Sequence, residues 1–454
     1  MSRRNLIGAT LAALCVVSAP VLAGVTAEEA AELGRSLTPF GAERAANKDG
    51  SIPEWKGGVT APPAGYVAGT PYPDLFSGEK PILQINAANL AQHKELLSEG
   101  TQVMLNKYPN YRIDVYPSHR TAAAPQWVYD NTLANATRAT TKNGGNSVEG
   151  AYGGVPFPIP KTGAEVMWNH LLRWRGEAFV EKIGVWVVDS NGKPSVAVKV
   201  EETQQWPYYE KNGSLESFNG DYWYLRQVQF DPPFKAGESV IIHDPLDQVG
   251  KGRKAWQYLA GQRRVRRAPT IAFDTPDFVA SGQNYFDEVY NFLGSLERYE
   301  WKLVGKKEMF VPYNNNRLFR TKAEDAMAGQ HLDPDQLRWE RHRVWVVEAN
   351  LAPGKRHAVP KKTFYIDEDT WSVLMMDGYD ASGNLWRTQH ALPIVAPDIP
   401  AVIAMGFALY NLQANTWIVS ALPADATANN QFVVIEPRPY TYFSPDALAG
   451  GGIR

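Results

Sequence analysis

The 454-residue sequence holds a single cysteine, Cys15, and that one lies inside an N-terminal apolar run. Beyond that run no disulfide is available, so cohesion has to come from core burial, which a chain of this length supplies. Metal-ligand spacing is missing as well: the eight histidines stand at 93, 119, 170, 243, 331, 342, 357 and 390, none within four residues of another. There is no Gly-x-Ser-x-Gly elbow, no phosphate loop and no Gly-x-Gly-x-x-Gly, so no cofactor is expected. An excess of one charge is also lacking. Lys and Arg number 46 against 48 Asp and Glu, which speaks against nucleic acid or an anionic membrane as a partner. After the N-terminal run no stretch is a membrane span; Ala401 to Tyr410 is apolar but short, and it contains Gly406.

What is present begins with a leader. Arg3-Arg4, the apolar run Leu6 to Leu22 and the small-residue pattern ending at Ala23 read as a secretory signal removed with residues 1–23, by either the general or the twin-arginine route. The chain is rich in aromatics (14 Trp, 21 Tyr, 17 Phe) and carries 32 Pro. Aromatic strands joined by proline-rich loops suit an antiparallel sheet with a large apolar surface.

Periodicity predicts helices over 28–40 and 86–108, and a third from the capping box Thr162/Glu165 to about Arg173. On that third helix His170 reads first as a packed histidine. The stretch 47–55 is similar to the middle of a calcium loop, but Ala45 and Lys56 stand where the first and last oxygen ligands belong, so a tight turn is expected. Residues 140–154 are expected to be loop. A meander follows, with strands at 183–188, 195–200, 222–230 and 239–243 and a hairpin within 253–269. In the hairpin Trp256 and Tyr258 share one face of the pleat, with a turn at Ala260-Gly261. Arg263, Arg264, Arg266 and Arg267 form either a solvated face or a docking surface for a partner protein. Tyr285, Phe286, Val289, Phe292, Leu293 and Leu296 recur at helical spacing, and further strands are expected at 301–304, 308–311, 343–348, 363–366, 372–376, 385–388 and 410–419. Asp367, Glu368 and Asp369 read as a solvated turn.

Two readings of the aromatic strands stay open. Either they fill a solid core, or the sheet curls around an apolar cavity lined by Trp186, Trp223, Phe230, Trp256, Tyr258, Trp301 and Trp345, with Phe286, Val289 and Leu293 across its opening. For an enzyme, a hydrolase of lipid or glycan, the first suspects are Glu165, His170 and Asp274, each beside an aromatic-rich segment.

Several segments together carry a resemblance. They are Asp49-Gly-Ser-Ile-Pro-Glu-Trp55, Phe157-Pro-Ile-Pro-Lys-Thr-Gly163 with Trp168-Asn-His170, Ala255-Trp-Gln-Tyr258 with Gly261-Gln-Arg-Arg-Val-Arg-Arg-Ala-Pro269, Val311-Pro-Tyr-Asn314 and Asp367-Glu-Asp-Thr-Trp371. The sequence resembles, over nearly all of its length after the leader, a Gram-negative periplasmic family of unknown function described as outer-membrane lipoprotein-sorting-like. The resemblance implies a mainly β fold with some α, an unclosed antiparallel β-barrel like those of LolA and LolB with helices packed across its mouth. It implies a half-barrel core over 151–454 and an N-terminal extension of helix and loop over 24–150. It also implies a non-enzymatic periplasmic carrier of a lipid or other apolar compound, with a transporter of the resistance-nodulation-division type or an outer-membrane protein as a partner. No catalytic residues come with it.

Overall fold

The computed structural model describes residues 24–404 and 406–450; the expected leader, residues 1–23, lies outside them. Thirteen strands form one antiparallel sheet: β1 (Ala178–Val188), β2 (Pro194–Gln205), β3 (Asp221–Asp231), β4 (Ser239–Pro245), β5 (Lys254–Leu259), β6 (Arg264–Arg267), β7 (Tyr299–Pro312), β8 (Trp339–Leu351), β9 (Lys361–Asp367), β10 (Val373–Tyr379), β11 (Leu385–Ala391), β12 (Phe407–Asn411) and β13 (Thr416–Pro423). Their spatial order is β7 to β13 followed by β1 to β6. Among the described residues β6 and β7 do not pair, so the sheet is a barrel left unclosed. Short strands supplement it: Phe432–Val434 continues on β1 where β13 leaves, and Leu83–Ile85 with Ile113–Val115 extends the end of β8.

The turns follow from their residues. Asp189 Oδ1 accepts from the backbone N–H of Asn191 and Lys193 to close the β1–β2 hairpin, and Asp380 does the same for Ser382 and Asn384 between β10 and β11. Between β5 and β6 the left-handed position falls on Arg263 (φ +49°) after a 3-10 turn at Ala260–Gln262, two residues beyond Gly261 of the expected turn. The segments expected at 301–304 and 308–311 are one strand, β7, carrying a bulge at Val304-Gly305. The single strand expected over 410–419 is instead the β12–β13 hairpin, turned at Asn415 (φ +56°). Residues 140–154 are not all loop: Thr140–Lys142 pairs with Ser147–Glu149.

Helices are fewer and shorter than expected. Only Ala27–Ala30 of 28–40 is helical, and 86–108 is interrupted, leaving α1 (Glu99–Lys107) capped by Ser98. The helix α2 (Gln126–Arg138) lies in the N-terminal segment that precedes β1. The capping box of Thr162 and Glu165 starts α3 (Gly163–Leu171) as expected. Helix α3 packs on the concave face of the sheet. A Cβ on Gly163 would stand 2.8 Å from the Trp301 carbonyl oxygen, so glycine permits that approach. Its Val166, Met167, Trp168 and Leu171 are buried, each contributing about 1.5–3 kcal/mol.

Phe286 to Leu296 is not a helix. Phe286–Asn291 is an irregular 3-10 turn broken by extended Val289, and Tyr290 (φ +54°) and Asn291 (φ +67°) are left-handed. The segment 271–296 therefore runs as a strap inside the curl of the sheet, connecting β6 to β7 across the gap. In the concave core α3 packs on β7 and β8, the strap meets β10 and β11, and Ile183, Val185, Val198, Val200, Trp223, Leu225 and Ile242 of β1–β4 point inward. A second core covers the opposite face, where Trp186, Val188, Val346, Met375, Tyr410 and Trp417 meet Met104, Leu105, Ile113 and Val115 of the extension. Burial on both faces accounts for the aromatic surplus.

Candidate functional site

The alternation that buries Val198 and Val200 of β2 carries on to Glu202 and Gln204, so a carboxylate and an amide point into the concave core. Glu181 of β1 sits directly across from Glu202. Gln204 Nε2 lies 2.8 Å from Glu181 Oε1, 2.9 Å from Glu202 Oε2 and 3.0 Å from the Tyr290 hydroxyl, which itself donates to Glu202 Oε2 (3.0 Å). Gln227 Nε2 donates to Glu202 Oε1 (2.6 Å), and Trp223 Nε1 donates to Gln204 Oε1 (3.1 Å). Burial first, then the neighbouring Glu202 carboxylate, pushes Glu181 well above the ordinary carboxyl range; burial pushes Glu202 up too. Two buried carboxyls facing each other across the strands favour the protonated form.

Beside this cluster the strap and the wall enclose a cavity of about 60 Å3. Ile183, Val185, Trp223, Leu225, Val240 and Ile242 line it from the sheet, and Ile271, Phe278, Val279, Phe286, Val289, Tyr290 and Leu293 line it from the strap. A second apolar pocket, about 50 Å3, shares Ile183 and is bounded by Tyr72, Phe319, Ile394, Ile403 and Phe432, with Glu181 at its edge.

Of the ten residues expected to line a cavity, Trp223, Phe286, Val289 and Leu293 do so. Trp301 is on the concave side but packs into solid core, its Nε1 bonded to the Leu296 carbonyl and its ring against Phe292 and Phe364. Trp345 stacks parallel to Trp371, with Lys306 Nζ over its face. Trp186 lies on the other face of β1, because its parity is opposite to that of Ile183 and Val185. Trp256 and Tyr258 do share a face, but it is the outer one, where they meet Ile241 and Leu448. Phe230 is a half-exposed rim residue beside Arg226 and Tyr442. Arg263, Arg264, Arg266 and Arg267 are exposed, and among the described residues none of them is in an ion pair; Arg266 Nη2 reaches Gln257 Oε1 (3.2 Å).

The residues suspected for an enzyme do not converge. Glu165 accepts from the Lys161 and Thr162 backbone at the helix cap, and Asp274 accepts from the Ala358 backbone. His170 is a neutral packing histidine, its Nε2 donating to the Phe292 carbonyl and its Nδ1 accepting from Val373 N–H (3.0 Å each). Burial pushes it well below its ordinary range. The turn of Asp367, Glu368 and Asp369 is buried rather than solvated, because the extension covers it. Arg120 binds Asp369 bidentately (2.7 and 2.8 Å), and Arg343 and Lys306 hold Glu368. His342, Asp367 and Asp369 could gather around a cation, but Arg120 already neutralises Asp369, and Tyr313 and Thr370 donate to Asp367 Oδ2, so the cluster reads as structural.

The family model for proteins of unknown function DUF1329 matches residues 84–449, which take in every strand of the sheet. The chain belongs to the DUF1329 family. Within the comparison, the protein PA3922 of Pseudomonas aeruginosa, described as uncharacterized, is 40% identical over 392 residues, covering 84% of each chain. Among solved structures, a DUF1329 protein from Desulfovibrio piger covers 60% of this chain and 92% of its own at 13% identity and TM-score 0.41. A domain named for outer-membrane lipoprotein sorting, from Vibrio parahaemolyticus, covers 63% and 97% at 14% identity and TM-score 0.43. A LolA superfamily protein from Nitrosomonas europaea covers 63% and 100% at 8% identity and TM-score 0.38. For this DUF1329 chain the architecture is defined by its own strand order: a mainly antiparallel sheet, unclosed, with few helices. No helix among its described residues is long and apolar enough to cross a membrane.

Proposed function

We propose that the protein is a periplasmic carrier or binding protein for a lipid or other apolar ligand, taken up between the strap and the β1–β4 wall. One observation carries the reading: a mainly apolar cavity, with Glu202, Gln227, Arg253 and Asp277 also in its lining, lies under a segment that crosses the curl of the sheet without belonging to it. At about 60 Å3 the cavity is far smaller than the ~300–1,000 Å3 of ordinary ligand pockets, so loading requires the strap to move outward. Apolar ligand surface buried there contributes ~25 cal/mol per Å2, against which stand the costs of association and of lifting the strap. The N-terminal Arg3-Arg4 and apolar run support export, and the cysteine-free remainder is compatible with an oxidising compartment.

The exposed arginines 263, 264, 266 and 267, in no ion pair among the described residues, are proposed as the docking surface for a partner protein, of which a resistance-nodulation-division transporter is the kind suggested by the resemblance. Native mass spectrometry and solvent extraction of the protein purified from its own periplasm test the carrier reading, together with uptake of the neutral fluorophore N-phenyl-1-naphthylamine. A co-purifying apolar compound and saturable uptake are expected. A protein that extracts clean and takes up no probe refutes the reading. Charge reversal at Arg264 and Arg267 should abolish partner capture while leaving extracted lipid unchanged.

A further inference from the structure

The strap is tied to the two walls of the half-barrel by different chemistry. Toward β9–β11, Glu288 pairs with Arg387 (2.7 and 3.0 Å), Asp287 meets His357 (2.7 Å) and Lys362 (3.3 Å), and Asn291 Nδ2 donates to the Val373 carbonyl (2.8 Å). Lys362 and His357, working against burial, keep Asp287 well below its ordinary range. Toward β1–β3, among the described residues, the strap's only hydrogen bonds are made by the Tyr290 hydroxyl, which donates to Glu202 and accepts from Gln204. Tyr290 and Asn291 are consecutive left-handed residues without being glycine, a strained backbone that costs of order 1 kcal/mol or more per residue and persists only while something holds it. The cavity lies on the Tyr290 side.

We propose that the strap is a lid hinged on β9–β11 and latched by the Tyr290 hydroxyl on the Glu181–Glu202 pair, and that removing the proton the pair shares releases the latch and opens the cavity. What the opening admits rests on the carrier reading; the latch itself does not. The groups facing the pair supply no compensating cation. From β2 and β3 come neutral Gln204, Gln227 and Trp223, and from the strap come Tyr290 and Asp277, the latter another acid. Arg173 and Arg175, after α3, interact with Tyr290, and Arg253 on the cavity wall is committed to Asp244 (2.6 Å twice). A second negative charge on the pair is therefore met by repulsion and a dry environment, and solvating it by lifting the strap is the available relief.

The sign follows. In the closed form the pair binds its proton more tightly than solvated carboxyls do, so closure is fully favoured below the ordinary carboxyl range and is lost as pH rises through the raised range. Amide hydrogen exchange on the whole mature chain, corrected for the intrinsic effect of pH, reads the latch without any ligand. Protection of strap peptides 271–296 should fall about tenfold or more between pH 5 and pH 8, the weight of one linked proton, while β10–β11 peptides stay constant. Glu202→Gln should keep the strap protected at pH 8, with Glu181→Gln as an independent second variant, and Tyr290→Phe should lose protection already at pH 5. Uptake of N-phenyl-1-naphthylamine is measured on the same samples. Strap protection that ignores pH, or that falls equally in Glu202→Gln and Glu181→Gln, overturns the latch even if the probe binds. Protection that follows pH while no probe enters at any pH sustains the latch and removes the carrier reading instead.

Discussion

Replacing Asp277 by Asn should stabilise the protein, and by more at pH 8 than at pH 5. Asp277 is 6% exposed, and its Oδ1 accepts from Val279 N–H (2.9 Å) while its Oδ2 faces Asn284 Nδ2 (3.3 Å). Burial, with the Glu202 charge adding to it, pushes its carboxyl from 3.8 up to about 6. A folded-state value above the unfolded one means that the protonated form's stability is complete below about 3.8 and is lost as pH rises through about 6. The cost of ionising inside the fold works out at about 1.5 kcal/mol at pH 5 and about 3 kcal/mol at pH 8. Asn is the neutral isostere, and its Oδ1 can keep accepting from Val279 N–H. Urea unfolding followed by circular dichroism at the two pH values gives the two differences directly. A variant whose advantage is the same at both, or shrinks toward pH 8, refutes the argument.

Arg120→Ala leaves Glu368 and Asp369 short of a buried cation and should cost ~3–5 kcal/mol, seen as a lower urea midpoint. Gly100→Ala looks favourable by helix propensity, worth ~1 kcal/mol. Its Cβ would stand 2.1 Å from Thr388 Oγ1 and 2.3 Å from Asp377 Oδ1, so a net loss of ~1–3 kcal/mol is expected in the same assay. Leu293→Asp should abolish N-phenyl-1-naphthylamine uptake, whereas Trp256→Asp, on the outer face, should leave it intact; a fluorescence titration of both variants decides the matter.

The meander was readable because its turns announce themselves: Asp189 to Gly192 and Asp380 to Asn384 close hairpins through local side-chain bonds, and the strands between them alternate. Parity was less secure. Trp256 and Tyr258 share a face by spacing alone, but which face depends on the curl of the whole sheet, and both turn outward. The strap misled for a different reason. Phe286, Val289, Phe292 and Leu293 have helical spacing, yet tertiary bonds through Asp287, Glu288 and Tyr290 override it. The carboxyl pair did leave a trace, since Val198, Val200, Glu202 and Gln204 run along one face of a strand, so an inward acid follows from the same alternation that places the valines. Its partner Glu181 was invisible without the β1–β2 register. The buried Asp367 to Asp369 turn was equally out of reach, because its cover comes from Arg120, far away in sequence.

The strand order sets the sequence of events in folding. Both halves of the sheet, β1 to β6 and β7 to β13, are meanders of near neighbours and can assemble as they emerge, but the seam between them pairs Trp417 with Val188 and waits for nearly the whole chain. Until residues 416–423 arrive, β1 presents its long outer side with unpaired backbone donors and acceptors, the kind of edge that recruits other chains. A chain cut before residue 416 should therefore yield two unjoined, aggregating meanders and not a smaller stable protein.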